Sequence, residues 1–257
     1  MDPLRHRHKV LFTVFIAINL LLLGSAVAVF FFDWEMMTQM TAFFLALFVL
    51  AAIDLWFQPR LQSYAYQNSV GRLRRGSTVE PPSADDLSSP LWVAHLKSLG
   101  FAVAVDVGAF AILHRVSKNP NRTIVPSKVH DVIVYVRRLE TSYHDPAIQA
   151  EVNRLESSMA ARKIRVRDSA IVVVKSGAGI DGAIDAALGQ VVFEKQSEHG
   201  IVVMPSYYDR NSHRIHYLHA SDYAPTALYG YAIDMFKATY ETFRLPADDK
   251  ASKADGK

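Results

Sequence analysis

Ala170-Ile-Val-Val-Val-Lys-Ser-Gly-Ala-Gly-Ile-Asp-Gly-Ala-Ile-Asp185 is the stretch whose reading decides the fold. Its first five residues are apolar and mostly β-branched, which is how a strand covered on both faces reads. Lys175 and Ser176 end the run, and Gly177, Gly179 and Gly182 follow in a loop that opens a short helix. Strand, glycine loop and helix in that order mark an α/β unit. Glycines let a backbone approach an anion closely, and a helix N-terminus offers unpaired N–H groups and a positive dipole end. The spacing formally fits the dinucleotide fingerprint G-x-G-x-x-G. That motif needs a long helix before the next strand, however, and Gly189 arrives after barely two turns. Two readings are left: glycines that serve only the turn, or a phosphate-binding loop of another kind.

The same pattern extends outward. Asp131-Val-Ile-Val-Tyr-Val136 is a second near-continuous β-branched run. Between the two runs, Asp145 can cap a helix, and Pro146 suits its first position because its missing N–H would be unpaired there. Ile148, Val152, Leu155 and Met159 then recur on one face. Further upstream, a short helix over 91–99 leads into alternation at Phe101, Val103, Val105 and Val107, the two-residue period of a strand. Ala109 to Val116 continues the sheet, and Ser117-Lys-Asn-Pro-Asn121 is a turn. Downstream, Val191-Val-Phe193 reads as a short strand. Ile201–Met204 and Arg214–Leu218 flank the turn cluster Asp209-Arg-Asn-Ser212 and make a hairpin. Pro225 to Phe243 is an amphipathic helix with Leu228, Ala232, Met235, Phe236 and Phe243 facing inward. The sum is a three-layer α/β domain with a mixed sheet over residues 91–246.

The N-terminal 57 residues differ in kind. Val10 to Phe32 contains no charge, and Met36 to Phe57 contains only Asp54, near its far end. At ~1.5 Å per helical residue the first run reaches roughly 35 Å, enough for a hydrocarbon core of ~30 Å. Arg5, Arg7 and Lys9 precede the runs and Arg60, Arg72, Arg74 and Arg75 follow them, whereas the turn carries only Asp33 and Glu35. The positive-inside rule places both ends in the cytoplasm. A cleaved signal peptide ending near Ala28 would have a shorter apolar region and no second span behind it. Residues 1–57 therefore read as a transmembrane hairpin with spans at about 10–32 and 36–57. Trp34 and Trp56 suit the two interfaces. Asn19 lies mid-span and can hydrogen-bond a neighbouring helix. Asp54 falls at headgroup level or lines a pore.

Residues 58–90 read as a juxtamembrane stalk and linker: 58–75 extends the second helix, and Gly76–Pro90 is too rich in Pro, Ser and Asp to bury a core. Residues 247–257 are a frayed tail. Of 257 residues, 28 are Lys or Arg and 25 Asp or Glu, and much of the excess sits beside the spans, which argues for lipid headgroups rather than nucleic acid. The chain has no cysteine, which excludes disulfides and thiolate metal sites.

Gly179-Ile-Asp-Gly-Ala-Ile-Asp-Ala-Ala-Leu-Gly189, after a buried strand, resembles the ligand loop of macro domains, whose pattern is Gly-Gly-Val-Asp-Gly-Ala-Ile, a small-residue turn and Gly. Gly200-Ile-Val-Val, Tyr207-Tyr208-Asp209-Arg210-Asn211 and Ile215-His216 follow in the order of that family's second ligand loop and next strand. The resemblance spans about 164–243. It implies a macro-like fold and a nucleotide of the ADP-ribose type as ligand, with no further cofactor. The residues implied for binding are Ser176, Gly177, Gly179, Ile180, Asp181 and Gly182, with Tyr207 and Tyr208 stacking on a base or ribose. Val173-Val174-Lys175-Ser176 stands where the family has Asn-Ala-Ala-Asn, so the catalytic asparagine of its ADP-ribosyl hydrolases has no counterpart. Binding rather than turnover is the expectation.

With the hairpin, the whole resembles the membrane-anchored macro-type effectors of Thoeris antiphage systems. That resemblance implies a bacterial inner-membrane protein with its soluble domain in the cytoplasm. It further implies a TIR-domain partner that makes the nucleotide signal, and hairpins that form homo-oligomers and disrupt the bilayer. A non-catalytic inner-membrane scaffold of a secretion or conjugation complex is the alternative from another class, and an ADP-ribosyl hydrolase is a third reading, which the missing asparagine argues against.

Other constellations are weaker. His213, His216 and His219 are three apart, so on a strand they face opposite sides and do not converge on a metal. Asp106 inside an apolar strand needs a partner, either a strand-end hydrogen bond or a ligand. No serine-hydrolase elbow, Walker loop or zinc-protease motif is present.

Overall fold

The computed structural model describes residues 3–76, 87, 90–120, 127–196 and 199–243. The linker at 77–86 and 88–89, Asn121 and the tail at 247–257 lie outside the described residues. The chain divides into two compact units, Met1–Gly71 and Arg72–Lys257.

In the first unit, α1 (Pro3–Ala28) passes through a short 3-10 turn (Val29–Phe31) and a tight connection into α2 (Met36–Gly76). Helix α2 runs unbroken through Pro59 and the polar stretch beyond it, and its last turn belongs to the second unit. Lys9–Phe31 and Met36–Gly76 are each long and apolar enough to cross a membrane. Their outward side chains are unprotected: Leu21 is 72% exposed and Phe48 73%. Apolar surface on this scale needs a non-aqueous cover, and the arrangement is compatible with membrane anchoring.

Phe15 packs on Phe57 with ring centroids 5.7 Å apart, and Phe30 on Phe43 at 5.3 Å. One step up α1 is thus matched by one step down α2, and Asn19 falls opposite Ile53 and Asp54. Asp54 lies six residues inside Arg60, about 9 Å along the helix.

The second unit is built on a seven-stranded mixed sheet. Strands β3 (Lys128–Val136), β4 (Val166–Gly177) and β6 (His199–Asp209) run parallel in its centre. Antiparallel β2 (Phe110–Lys118) and β1 (Ala102–Asp106) extend it beyond β3. Beyond β6, β5 (Val192–Gln196) pairs with its first half and β7 (Arg214–Tyr217) with its second, so the two share one edge.

Helices cover both faces. Helix α4 (Pro146–Ala161) crosses from β3 to β4, started by Asp145, whose side chain accepts from the Ala147 N–H. Its Ile148 and Val152 join Val132, Val134, Ile171 and Val173 in one apolar cluster. On the other face lie α3 (Pro90–Ser98) and α6 (Ala227–Glu241). Trp92 of α3 meets the Tyr135 ring edge-on, and Tyr231 of α6 donates to Asp131 at 2.8 Å. The β-branched runs are therefore central strands, as two-sided burial requires.

The outer strand departs from its pattern. Val103 is 38% exposed, and the register slips between Val103 and Val105, so alternation there does not make a buried face. β1 is an edge strand with a bulge, and such edges are twisted away from further pairing. Asp106 at its end pairs with Arg137 at 2.5 Å, the strand-end partner that position needs.

Asp131 is fully buried and accepts from Arg115 Nε at 2.8 Å, Ser117 Oγ at 3.0 Å and Tyr231 Oη at 2.8 Å. It ties β2, β3 and α6 together. Asp131→Ala leaves Arg115 without its carboxylate and should lower unfolding free energy by about 3 kcal/mol, read as a fall in the urea midpoint.

Candidate functional site

In α/β sheets, ligands collect at the carboxyl ends of the parallel strands. β4 ends at Gly177 and β6 at Asp209, side by side in register. The loop after β4 leads into α5 (Gly182–Leu188).

Two of the three loop glycines have a structural reason. A Cβ on Gly177 would sit 2.4 Å from the Tyr207 hydroxyl, and Gly179 has φ +77°, the left-handed region that favours glycine. Tyr207 donates to the Gly179 carbonyl at 2.8 Å, and the Arg210 N–H donates to the Gly177 carbonyl at 2.8 Å. Asp209 closes the loop by accepting from the Gly179 N–H at 2.8 Å, the Asn211 N–H at 3.0 Å and the Ser212 hydroxyl at 2.6 Å. Burial works against its charge, but the bonds from Ser212, Gly179 and Asn211 hold the carboxyl below its usual range. Asp181 caps α5 by accepting from the Ile184 N–H at 2.7 Å. Gly182 is different: a Cβ there meets nothing within 4 Å. Ala178, Ile180, Asp181 and Gly182 are exposed in the loop, the last three consecutively.

The strand alternation splits the expected site residues. Gly177 and Tyr207 face the α4 side, where Tyr207 belongs to the apolar cluster. Ser176 and Tyr208, one residue away in each strand, face the α6 side. Ser176 Oγ lies 3.3 Å from the Tyr135 hydroxyl, and Tyr208 bonds His213 Nδ1 at 2.8 Å. Tyr207 and Tyr208 are 1% and 0% exposed, so as placed neither ring turns a face to solvent. The structure brings together Gly177, Gly179, Ile180, Asp181, Gly182 and the Tyr207 hydroxyl.

Two further groups stand at this end of the sheet. Lys175, buried beneath the loop, donates to the Leu139 carbonyl at 3.1 Å and lies 4.3 Å over the Tyr143 ring. Burial lowers its pKa, with Glu140 opposing. Arg74, in the last turn of α2, donates to Asp185 of α5 at 3.0 Å on the carboxylate and 3.2 Å on the carbonyl. A Cβ on Gly189 would meet that guanidinium at 2.4 Å, a flexible side-chain end that can give way. The end of the β-branched run signals Lys175, but nothing local in the sequence signals Arg74, whose partner lies 111 positions away.

A groove of about 310 Å³ lies along α4, floored by Ile171, Val173, Ile201 and Val203. His144 closes one end, its Nε2 2.7 Å from the Gln190 carbonyl. Glu156 stands at the other, bonded by Ser169 at 2.6 Å and 3.7 Å from buried His130. His130 and Ser169 hold the Glu156 carboxyl below its usual range against burial. Burial, and then His130, lower the pKa of neighbouring His114.

Among the described residues no group of three His, Asp or Glu side chains is arranged to hold a metal. In comparisons with known proteins, no family model matches the chain, and no curated protein and no solved structure is significantly similar to it.

Gly177→Ala should destabilise the second unit by about 1–3 kcal/mol, and adding Tyr207→Phe should recover part of that loss by removing the clashing hydroxyl. Urea melts of the two variants and the double variant check it. Both His114 and Glu156 bind protons less readily folded than unfolded. Stability should therefore fall as pH drops below about 6.5 through His114, and again below about 4.5 through Glu156. The urea midpoint measured between pH 8 and 4 reads this, and His114→Gln should flatten the upper limb.

Proposed function

We propose that this chain is a membrane-anchored sensor whose α/β domain binds a nucleotide of the ADP-ribose type and whose apolar hairpin is the output. The observation that carries the reading is the loop at the end of β4, where Ile180, Asp181 and Gly182 stand exposed at the carboxyl edge of the parallel strands. The likeness of residues 177–189 to macro-domain loops supports the ligand class. Two uncovered apolar helices joined by an acidic turn support an inner-membrane location with the domain in the cytoplasm. The remaining elements rest on the likeness to Thoeris effectors: a TIR-domain partner as the source of the signal, antiphage defence, and homo-oligomeric hairpins that disrupt the bilayer. The polar strand end Lys175-Ser176 offers no asparagine for hydrolysis, which favours binding over turnover.

A scaffold role is the second reading, and one observation favours it. Asp209 occupies the Gly179 N–H and Asp181 the Ile184 N–H, so part of the loop's donor capacity is already used.

Titration of the full chain in detergent with ADP-ribose separates the two. The sensor reading expects saturable heat, and Gly182→Glu should weaken it at least tenfold with an unchanged melting temperature, since its side chain enters open space and a helix start tolerates a carboxylate. No heat with wild type, or equal affinity in the variant, contradicts the reading and leaves the scaffold.

A further inference from the structure

The α4 side of the sheet is not covered throughout. Ile201 and Val203 lie on β6, a central strand with β4 parallel beside it, yet both are only half-buried. Parallel strands bury both faces as a rule, so an uncovered stretch there stands out. The gap is the groove along α4, whose volume of about 310 Å³ suits a small organic molecule.

Register orders the floor of the groove in two rows across β4, β6 and β5. Ile171, Val203 and Val192 are paired in one row, which is wholly apolar. Ser169, Ile201 and Glu194 are paired in the next, with polar groups at both ends. At about 4.8 Å between strands, Ser169 and Glu194 stand about 10 Å apart with Ile201 between them. Helix α4 is the wall. Its Ile148, Val152 and Glu156 share one face, and Glu156 comes to rest on Ser169.

A carboxylate therefore stands at each end of the second row, and that of Glu156 is held in place from below. Ser169 Oγ donates to its Oε1 at 2.6 Å, and Nδ1 of the fully buried His130 lies 3.7 Å from the same oxygen. Its Oε2 has no bonded partner among the described residues. Asp145 adds a third carboxylate at the far end, and among the described residues the lining holds no Lys or Arg. An apolar bed rimmed by carboxylates matches an ammonium group on an apolar body. The charge finds acceptors, and the body covers the half-exposed aliphatic floor.

We propose that this groove is a binding site for a small amphipathic amine, its ammonium held between Glu156 and Glu194 and its apolar body lying on Ile171, Val203 and Val192. The groove flanks the sheet, whereas the corner at 180–182 lies at the carboxyl edge of the strands. The inference thus goes beyond the nucleotide reading and stands whether or not ADP-ribose binds.

Equilibrium dialysis of tryptamine against the full chain in dodecyl maltoside, with detergent on both sides, tests it. Tryptamine should bind saturably below about 10 mM, and hexylamine should displace it about tenfold better than methylamine, which has no body to lay on the floor. 3-Indolepropionate, with a carboxylate in place of the ammonium, should not bind. Glu156→Gln and Glu194→Gln should each weaken tryptamine binding about fivefold or more. Melting temperatures are read on the same samples, because Glu156 also ties α4 to Ser169. Glu194 is exposed on the edge strand β5, so its variant keeps the test decisive if Glu156→Gln unfolds. No saturable binding by wild type, equal binding of 3-indolepropionate, or wild-type affinity in either folded variant would overturn the proposal. Displacement of tryptamine by the blocked tripeptide acetyl-Ile-Lys-Ile-amide at about a tenth of the hexylamine concentration would also overturn it, making the occupant a basic peptide.

Discussion

The second unit depends on one constraint: three adjacent parallel strands cannot leave either face in water. β3, β4 and β6 are parallel neighbours, and each crossover between parallel strands must carry the chain back over a face. Helix α4 does this on one side, and α6 with α3 closes the other. Everything else is arranged around that sandwich. Asp131 ties α6 to the sheet from below, and Tyr143 reaches the Ser206 carbonyl at 3.1 Å to hold the segment between β3 and α4. At the carboxyl edge, where the strands stop and their backbone groups run out of partners, Tyr207 and Asp209 supply the bonds that shape the glycine loop.

This origin of the loop's shape bears on how its glycines are read. Gly177 and Gly179 answer to a tyrosine hydroxyl and to a left-handed backbone, so a ligand is not needed to account for them. Gly182, with open space where a side chain would be, is the position that packing leaves unexplained. The proposal of a nucleotide site is therefore concentrated on the exposed 180–182 corner rather than on the whole glycine pattern.

The near-continuous β-branched runs at 131–136 and 170–174 made the central strands legible, because two-sided burial favours apolar residues at successive strand positions and leaves a polar one, such as Asp131, only where it is bonded. The start of α4 was equally plain, since Asp145 and Pro146 act through local bonds. The alternation at 101–107 is likewise a strand, β1, although as an edge strand with a bulge it leaves Val103 exposed while Val105 packs on the core. In the candidate site, the glycines could be read from the chain, whereas the cap that Asp181 gives α5 appears only in the structure. That Ser176 and Tyr208 point to the opposite face from Gly177 and Tyr207 follows only from strand alternation once the strands are known to extend that far. The pairing of Arg74 with Asp185 is a long-range fact, set by which helix turn meets which, and no local pattern encodes it.

The central claim is that the corner at 180–182 is where a nucleotide meets this domain. Hydrogen–deuterium exchange on the full chain, with and without saturating ADP-ribose, tests it most directly. The account predicts slower exchange confined to the amides of the 178–184 segment and the neighbouring end of β6. Unchanged exchange throughout the α/β domain, or protection confined to the groove along α4, would contradict it.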